Sequence, residues 1–485
     1  MEIVLNIDSQ ELQYESQILV NSFLNGMSSS EERQQYEEKK IGIQISPEEV
    51  VVSCDNLVYR GTPEGTDKKY VKAELKRQIY QLMHELTGEE LPWGALTGIR
   101  PTKLVMGLLE EQPEISDEEI TAFLKEKYLV SDEKIALGMN IARREKDILR
   151  NIDYRDGYSL YIGIPFCPTT CLYCSFTSYP IGAYAAKSEA YVSALLKEID
   201  YASEAFRDRK LNTIYFGGGT PTTLTPEQLD RLLGAVRDKF DLSYNQEFTV
   251  EAGRPDSITK EKLLVLKKHG VTRISINPQT MKQETLDLIG RYHTVEQVRD
   301  TFTLARSLGF DNINMDFIVG LPNETIDDIR YSMEETKKLN PDSITVHSLA
   351  IKRAARLNIF KEQYKELSIE NNKDIMKLCS EYAKKMEMTP YYMYRQKNIA
   401  GNMENVGYAR DRKAGIYNIL IMEEKQTILA LGAGAVTKCV LHEENRIERV
   451  ENVKNVDQYI DRIDEMIERK KNFFDGIRNR TDSKQ

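Results

Sequence analysis

The chain has 485 residues, 41% hydrophobic and 29% charged, which at about 150 residues per domain is room for roughly three domains of ordinary globular composition. Its 66 Lys and Arg against 76 Asp and Glu leave a net charge of −10, the wrong sign for a chain whose main partner is nucleic acid. Six cysteines are too sparse for a secreted disulfide scaffold, and no apolar run reaches the ~18 residues that a membrane span needs. Glu2 and Asp8 stand where a signal peptide would be basic, so the chain reads as cytoplasmic, with no membrane partner.

Residues 1–60 alternate short β-like runs (Ile3–Ile7, Ile41–Ile45, Val50–Ser53) with a helical stretch around Leu12–Leu24, which predicts a small α+β unit. The polar run Ser28–Lys40 reads as a solvated loop or helix end. Apolar residues at helical spacing predict one helix over Val71–Leu86 and another over Ile135–Ile148. Between them PWGALTGIRP (Pro92–Pro101) sets the single Trp among turn formers and reads as a packed loop. Residues 1–150 are therefore expected to form an N-terminal α+β and helical domain.

From residue 158 six β-rich runs alternate with helical stretches: Leu160–Ile164, Thr213–Phe216, Phe248–Glu251, Arg273–Ile276, Ile313–Ile318 and Ser343–Leu349. Such alternation implies an α/β fold of parallel strands joined by right-handed crossovers. The expectation is a barrel or partial barrel over 151–365 with functional residues at the strand C-terminal ends. Beyond it, 366–485 is expected to be a mixed domain: a helical stretch, a β-hairpin pairing Ile416–Met422 with Thr427–Leu431, and a terminal helix with Val456, Tyr459, Ile460, Ile463 and Ile467 on one face.

Three cysteines fall within eight positions directly after the first barrel strand, as Cys167, Cys171 and Cys174 in a C-x3-C-x2-C loop. Three thiolates in one short loop can wrap a corner of an iron–sulfur cube, leaving the fourth iron open to an exogenous ligand. Zinc, the alternative soft-ligand metal, would want a fourth Cys or His at similar spacing, and none of the five histidines lies near the loop. Gly217, Gly218 and Gly219 end the second strand, where backbone amides can approach a ligand without Cβ interference. Glu251, Gln279, Arg291 and Asp316 are polar groups at or just beyond strands three to five, where barrel chemistry concentrates.

The cysteine loop resembles that of the radical S-adenosylmethionine (SAM) superfamily. The ordered series YIGIPFC, CLYCSF, FGGGTPT, Glu251, RISINPQT, GRYH, NMDFIVGLPNET and LGAGAV resembles the oxygen-independent coproporphyrinogen III dehydrogenase family, and the WGALTGIRP region its HemZ-type branch. The resemblance implies a partial (β/α)6 radical SAM barrel, with a [4Fe–4S] cluster on Cys167, Cys171 and Cys174 whose open iron takes the amino and carboxylate groups of SAM. It implies SAM contacts from Gly218, Gly219 and Thr220 at the methionyl end, and from Glu251, Gln279, Arg291 and Asp316 at the ribose and carboxylate. Tyr161, Tyr173, Ala350 and Val436 match further SAM contacts of the family.

By the same resemblance, a one-electron donor such as flavodoxin or ferredoxin reduces the cluster, and SAM is cleaved to methionine and a 5′-deoxyadenosyl radical. Two propionates of coproporphyrinogen III then lose CO2 to become the vinyl groups of protoporphyrinogen IX. Arg254, Lys352, Arg353 and Arg395 are candidates for the substrate carboxylates. Phe176 stands where dehydrogenases of the family carry a further Cys and where haem-chaperone relatives carry Phe. On that ground a haem-binding chaperone stays open, with His347 as the candidate ligand; a radical SAM methyltransferase stays open too, with no separate clue in the sequence.

Overall fold

The computed structural model describes all residues except 27–29, 98–99, 353, 361–363, 365, 397–398, 400, 402 and 483–485. Strands β1 (Glu2–Leu5), β2 (Lys40–Ile45), β3 (Val50–Cys54) and β4 (Leu57–Gly61) form one sheet in that order. The helix Gln10–Gly26 separates β1 from β2, which run parallel, whereas β2, β3 and β4 follow one another as antiparallel neighbours. Ile41, Ile43, Val50 and Val52 are buried in one core with Leu19, Phe23, Leu75 and Met83 from the helices Gln10–Gly26 and Lys68–Thr87. Within the polar run, Ser30–Glu37 is helical. Strand β4 escapes the periodicity reading because the ladder to β3, turned by Asp55 at φ +53°, recruits it.

The six runs of the middle region become β5 (Gly157–Ile164), β8 (Lys210–Gly218), β9 (Glu247–Gly253), β10 (Arg273–Ile276), β11 (Ile313–Val319) and β12 (Ser343–Ser348). Each is paired in parallel with the next, as the strand–helix alternation requires. The two-residue strands β6 (Phe166–Cys167) and β7 (Tyr179–Pro180) pair with each other in the loop after β5. Beyond β12 the sheet continues through β14 (Asn405–Ala409) to β13 (Thr389–Tyr394), both antiparallel. On the other side β15 (Thr427–Leu431) joins β5 in parallel, and β16 (Val436–Leu441) and β17 (Arg446–Glu451) extend it as antiparallel strands. Among the described residues this sheet has eleven strands with β13 and β17 as its edges, so the barrel is partial and open.

One expectation is corrected. Ile416–Glu423 is a helix, not the first strand of a hairpin, and β15 pairs with β5 instead of with it. A short apolar run such as ILIM is ambiguous between strand and buried helix. Here the buried Glu247 carboxylate accepts from Ile416 N at 2.5 Å, and an anion at that position favours a helix start. Tyr417 then lies against Tyr215 and Tyr161, with ring centroids 4.4 and 6.2 Å apart.

The Pro92–Pro101 loop is packed as expected where it is described. Trp93 is buried and its Nε1 donates to Glu404 Oε2 at 2.8 Å, while Lys134 Nζ lies 2.7 Å from Glu404 Oε1.

The C-terminal segment is tied to the barrel by a buried carboxylate. Glu198, on the helix Ile181–Ala205, accepts from Lys470 Nζ (2.7 Å) and Asn452 Nδ2 (2.7 Å) on one oxygen. Its other oxygen accepts from Gly432 N (2.8 Å) and Tyr459 OH (2.6 Å). Glu198 and Lys470 are both fully buried. Breaking such a pair strands a charge away from water. Glu198→Ala is therefore expected to lower unfolding free energy by about 3–5 kcal/mol, read as a fall in the urea midpoint, and Glu198→Ala with Lys470→Met to recover part of it.

Candidate functional site

The C-terminal ends of the six parallel strands face one way, and the loops leaving them surround a cavity of about 360 Å³. The first loop carries the cysteines. Leu172, next to Cys171, is held on both flanks: its N donates to Ile289 O at 2.9 Å and its O accepts from Leu357 N at 3.0 Å. Cys167, Cys171 and Cys174 are free thiols, Cys171 buried and the others half-buried, and all three line the cavity.

The second strand end is stitched to this loop. Gly219 N donates to Ile164 O and Thr220 N to Phe166 O, both at 2.7 Å. A Cβ on Gly219 would fall 2.6 Å from Phe166 O and 3.0 Å from Cys167 Sγ, and Gly218 sits at φ +106°. Only glycine meets both demands. Thr220 Oγ1 donates to Cys167 Sγ at 3.6 Å.

Burial pushes the Cys167 thiol up and the Cys174 thiol up to about 11, so the thiolates need positive charge close by. Arg291 supplies some of it. Its Nη1 lies 3.8 Å from Cys171 Sγ and 3.4 Å from Tyr173 OH, and its Nη2 donates to Asn277 O at 2.6 Å.

Opposite the cysteines stand Glu251 on β9, Gln279 after β10 and Asp316 on β11, all lining the cavity. Burial lifts Glu251 to about 7, with the Asp316 charge adding to it, although Tyr215 OH donates to its carboxylate. Burial opposes ionisation of Asp316 as well, but His347 and Asn314 outweigh it and hold this carboxyl below its ordinary value. Asn314 Nδ2 donates to Asp316 Oδ1 at 2.7 Å, and His347 Nε2 stands 3.9 Å from the same oxygen. Two neighbouring carboxylates are thus set to different charge states near neutral pH. Gln279 takes the left-handed conformation (φ +70°), its N donating to Asp316 O at 3.0 Å and its O accepting from Ile318 N at 2.9 Å.

The cavity also takes in Tyr173 and Ala350, but neither Tyr161 nor Val436. The Tyr161 ring is layered with Tyr215 and Tyr417, and Val436 opens β16 on the far side of β15. Among the proposed carboxylate receivers, Arg254 is already engaged by Asp256 (Nη2–Oδ2 2.6 Å) and Thr169 (Nη1–Oγ1 2.5 Å). Arg395 donates to Leu96 O at 2.6 Å, outside the cavity, and Arg353 lies outside the described residues. Lys352 is exposed and lines the cavity.

The motif reading missed much of the wall: Tyr215, Arg273, Ser275, Asn277, Asn314, Thr345, Tyr392 and Tyr394. A signal was present. Strands buried on both faces normally read as continuous apolar runs, whereas here every second residue is polar: Arg273, Ser275 and Asn277; Asn314 and Asp316; Thr345 and His347.

Residues 161–336 match the radical SAM superfamily. The Bacillus subtilis oxygen-independent coproporphyrinogen-III oxidase-like protein HemZ is 43% identical over 428 residues, 87% of this chain and 85% of that protein. The chain belongs to the HemZ family of radical SAM proteins. Heme chaperone HemW of Lactococcus lactis is 38% identical over 198 residues, 40% of this chain and 49% of that protein. The structure of the Escherichia coli coproporphyrinogen III oxidase HemN, at 22% identity, superposes with a TM-score of 0.51 over 64% of this chain and 70% of that one, which shows the shared fold.

The radical SAM family uses a [4Fe–4S] cluster and SAM, and this cavity fits them. Its donor set is soft thiol sulfur. Among the described residues no three His, Cys, Asp or Glu side chains gather as one metal ion requires. A zinc ion needs that convergence; a cube, with each sulfur on a different iron, does not. Gln279 Oε1 and Ser275 Oγ are buried in cavity-lining residues without a hydrogen-bond partner, which marks a place for a polar ligand.

Gly219→Ala is expected to displace Cys167, so that reconstituted protein holds several-fold less iron and shows correspondingly weaker visible absorption, measured against the unaltered chain. Glu251 binds its proton more tightly when folded, so its stabilising contribution is complete below pH 4.5 and is lost as pH rises to about 7. Glu251→Gln is expected to flatten that part of the stability–pH curve, followed through the urea midpoint.

Proposed function

We propose that the chain catalyses the oxygen-independent oxidative decarboxylation of two propionates of coproporphyrinogen III, giving protoporphyrinogen IX. The observation that carries this reading is the 43% identity to HemZ across most of both chains. In this reading Cys167, Cys171 and Cys174 hold the cluster, and Gly218, Gly219 and Thr220 receive the methionyl end of SAM. Glu251, Gln279, Arg291 and Asp316 bind its ribose and carboxylate, with Tyr173 and Ala350 beside them. When bound, cluster and SAM together supply a carbon radical able to take hydrogen from an unactivated C–H bond.

The chain's own residues then have three tasks. Arg291 offsets thiolate charge in a dry site while its hydrogen bond to Asn277 O fixes its position. The ionised Asp316 accepts from ligand hydroxyls, and Glu251, titrating near neutrality, either accepts or donates. Lys352 meets substrate carboxylates at the cavity wall. The partners of this reaction are the tetrapyrrole and a one-electron reductant.

A second reading, a haem-binding chaperone, is favoured by the likeness to HemW. Its ligand would be His347, which lines the cavity with Nδ1 3.2 Å from Tyr394 OH. An anaerobic assay of the reconstituted, reduced protein with SAM and coproporphyrinogen III separates the two. 5′-Deoxyadenosine and protoporphyrinogen IX are expected to rise together, and neither to form with Cys171→Ala. Deoxyadenosine without vinyl product would discard this substrate, and tight haem binding with no turnover would select the chaperone.

A further inference from the structure

If the three cysteines hold a redox cluster, electrons must reach it from outside, and the surface beside the cysteine loop has an unusual composition. In a chain of net charge −10, the stretch between Asp342 and Glu362 contains Lys352, Arg353, Arg356 and Lys361 and no acidic residue. Lys352 and Arg356 are exposed and form no ion pair among the described residues. Lys352 and Leu357 lie directly on the cysteine loop: Leu357 N donates to Leu172 O at 3.0 Å, and Lys352 Nζ sits 5.5 Å from the Phe176 ring centroid.

Large apolar side chains are exposed on the same face. Phe176 is 70% exposed, Ile359 58% and Phe360 42%. On the loop's other flank, where Leu172 N meets Ile289 O, Tyr292 is 70% and Leu288 38% exposed. Phe176, Ile359 and Phe360, exposed beside the positive Lys352 and Arg356, have the composition of a protein-docking patch.

We propose that this face docks an acidic, low-potential one-electron carrier protein. The exchange balances simply: the carrier loses one electron, the cluster gains one, and no bond or proton moves. The positive charge of Arg356, outside the cavity, attracts the acidic carrier, and the exposed aromatics supply the small dry contact of a transient redox encounter. A carrier seated there lies over the segment whose Leu357 N bonds to Leu172 O, so only that buried residue separates the contact from the cysteine loop.

The test uses reconstituted holoprotein with an acidic bacterial flavodoxin as the probe, and a photoreduced deazaflavin as a small reductant that needs no docking. Arg356→Glu is expected to slow cluster bleaching by flavodoxin about tenfold at low ionic strength and to weaken binding of oxidised flavodoxin. The deazaflavin rate should be unchanged. The flavodoxin rate of the unaltered protein should fall with added salt and that of the variant much less. Arg412→Glu, in the turn following β14 and near Asp342 at the opposite end of the barrel strands, should alter neither rate. Equal flavodoxin rates and equal binding for Arg356→Glu and the unaltered protein would overturn the proposal. So would a variant that binds flavodoxin normally but loses affinity for coproporphyrinogen, which would assign the patch to substrate. Failure of deazaflavin to reduce the unaltered protein would instead sink the cluster reading on which the docking face rests.

Discussion

The parallel hydrogen-bond ladder from β5 to β12 is the constraint on which the remaining architecture depends. Parallel strands need crossover connections, the crossovers are right-handed, and all six strand ends therefore open toward one side. Cysteines, glycines and carboxylates separated by up to 150 residues of sequence meet there because each follows or ends one of those strands. The sheet remains open because antiparallel strands extend both of its edges, and the helix Ile416–Glu423 brings Tyr417 against the barrel strands.

Within that frame the cysteine loop is held by its neighbours more than by itself. Leu172 bonds to backbone on both flanks, Gly219 presses against Phe166 O, and Arg291 reaches the sulfur of Cys171 from beyond β10. A dry loop of this kind disfavours free thiolates. The same burial sets Glu251 and Asp316 apart, since only Asp316 has enough donors and positive charge to keep its ionised form. The buried Glu198 works at longer range, joining the Gly432 loop to the terminal helix Ile463–Asp482 and so fixing the strands that border β5.

The six parallel strands, the helices on either side of Pro92–Pro101 and the three clustered cysteines were legible because each has a local signature: period, turn chemistry or spacing. So were Gly218, Gly219, Thr220, Glu251, Gln279, Arg291 and Asp316, which stand in motifs at strand ends and line one cavity. The helix Ile416–Glu423 was misread because four consecutive apolar residues carry no period, and its start is set by Glu247 from a distant strand. Tyr161 and Val436 do not line the cavity directly; the Tyr161 ring is layered on the cavity-lining Tyr215 with its hydroxyl beside Gly218, and Val436 opens β16.

What the sequence determined by itself was the fold class, the succession of the six parallel strands and a soft-metal thiol site, because these follow from periodicity and from three thiols in one short loop. What only the tertiary structure decided was which polar groups share the cavity and in which charge state. Arg254 is buried and engaged by Asp256, Arg395 is buried outside the cavity and turned to the Leu96 carbonyl, and Lys352 is exposed at the cavity wall. The reason is physical: burial, ion pairing and hydrogen bonding are properties of neighbours, and neighbours across parallel strands are far apart along the chain.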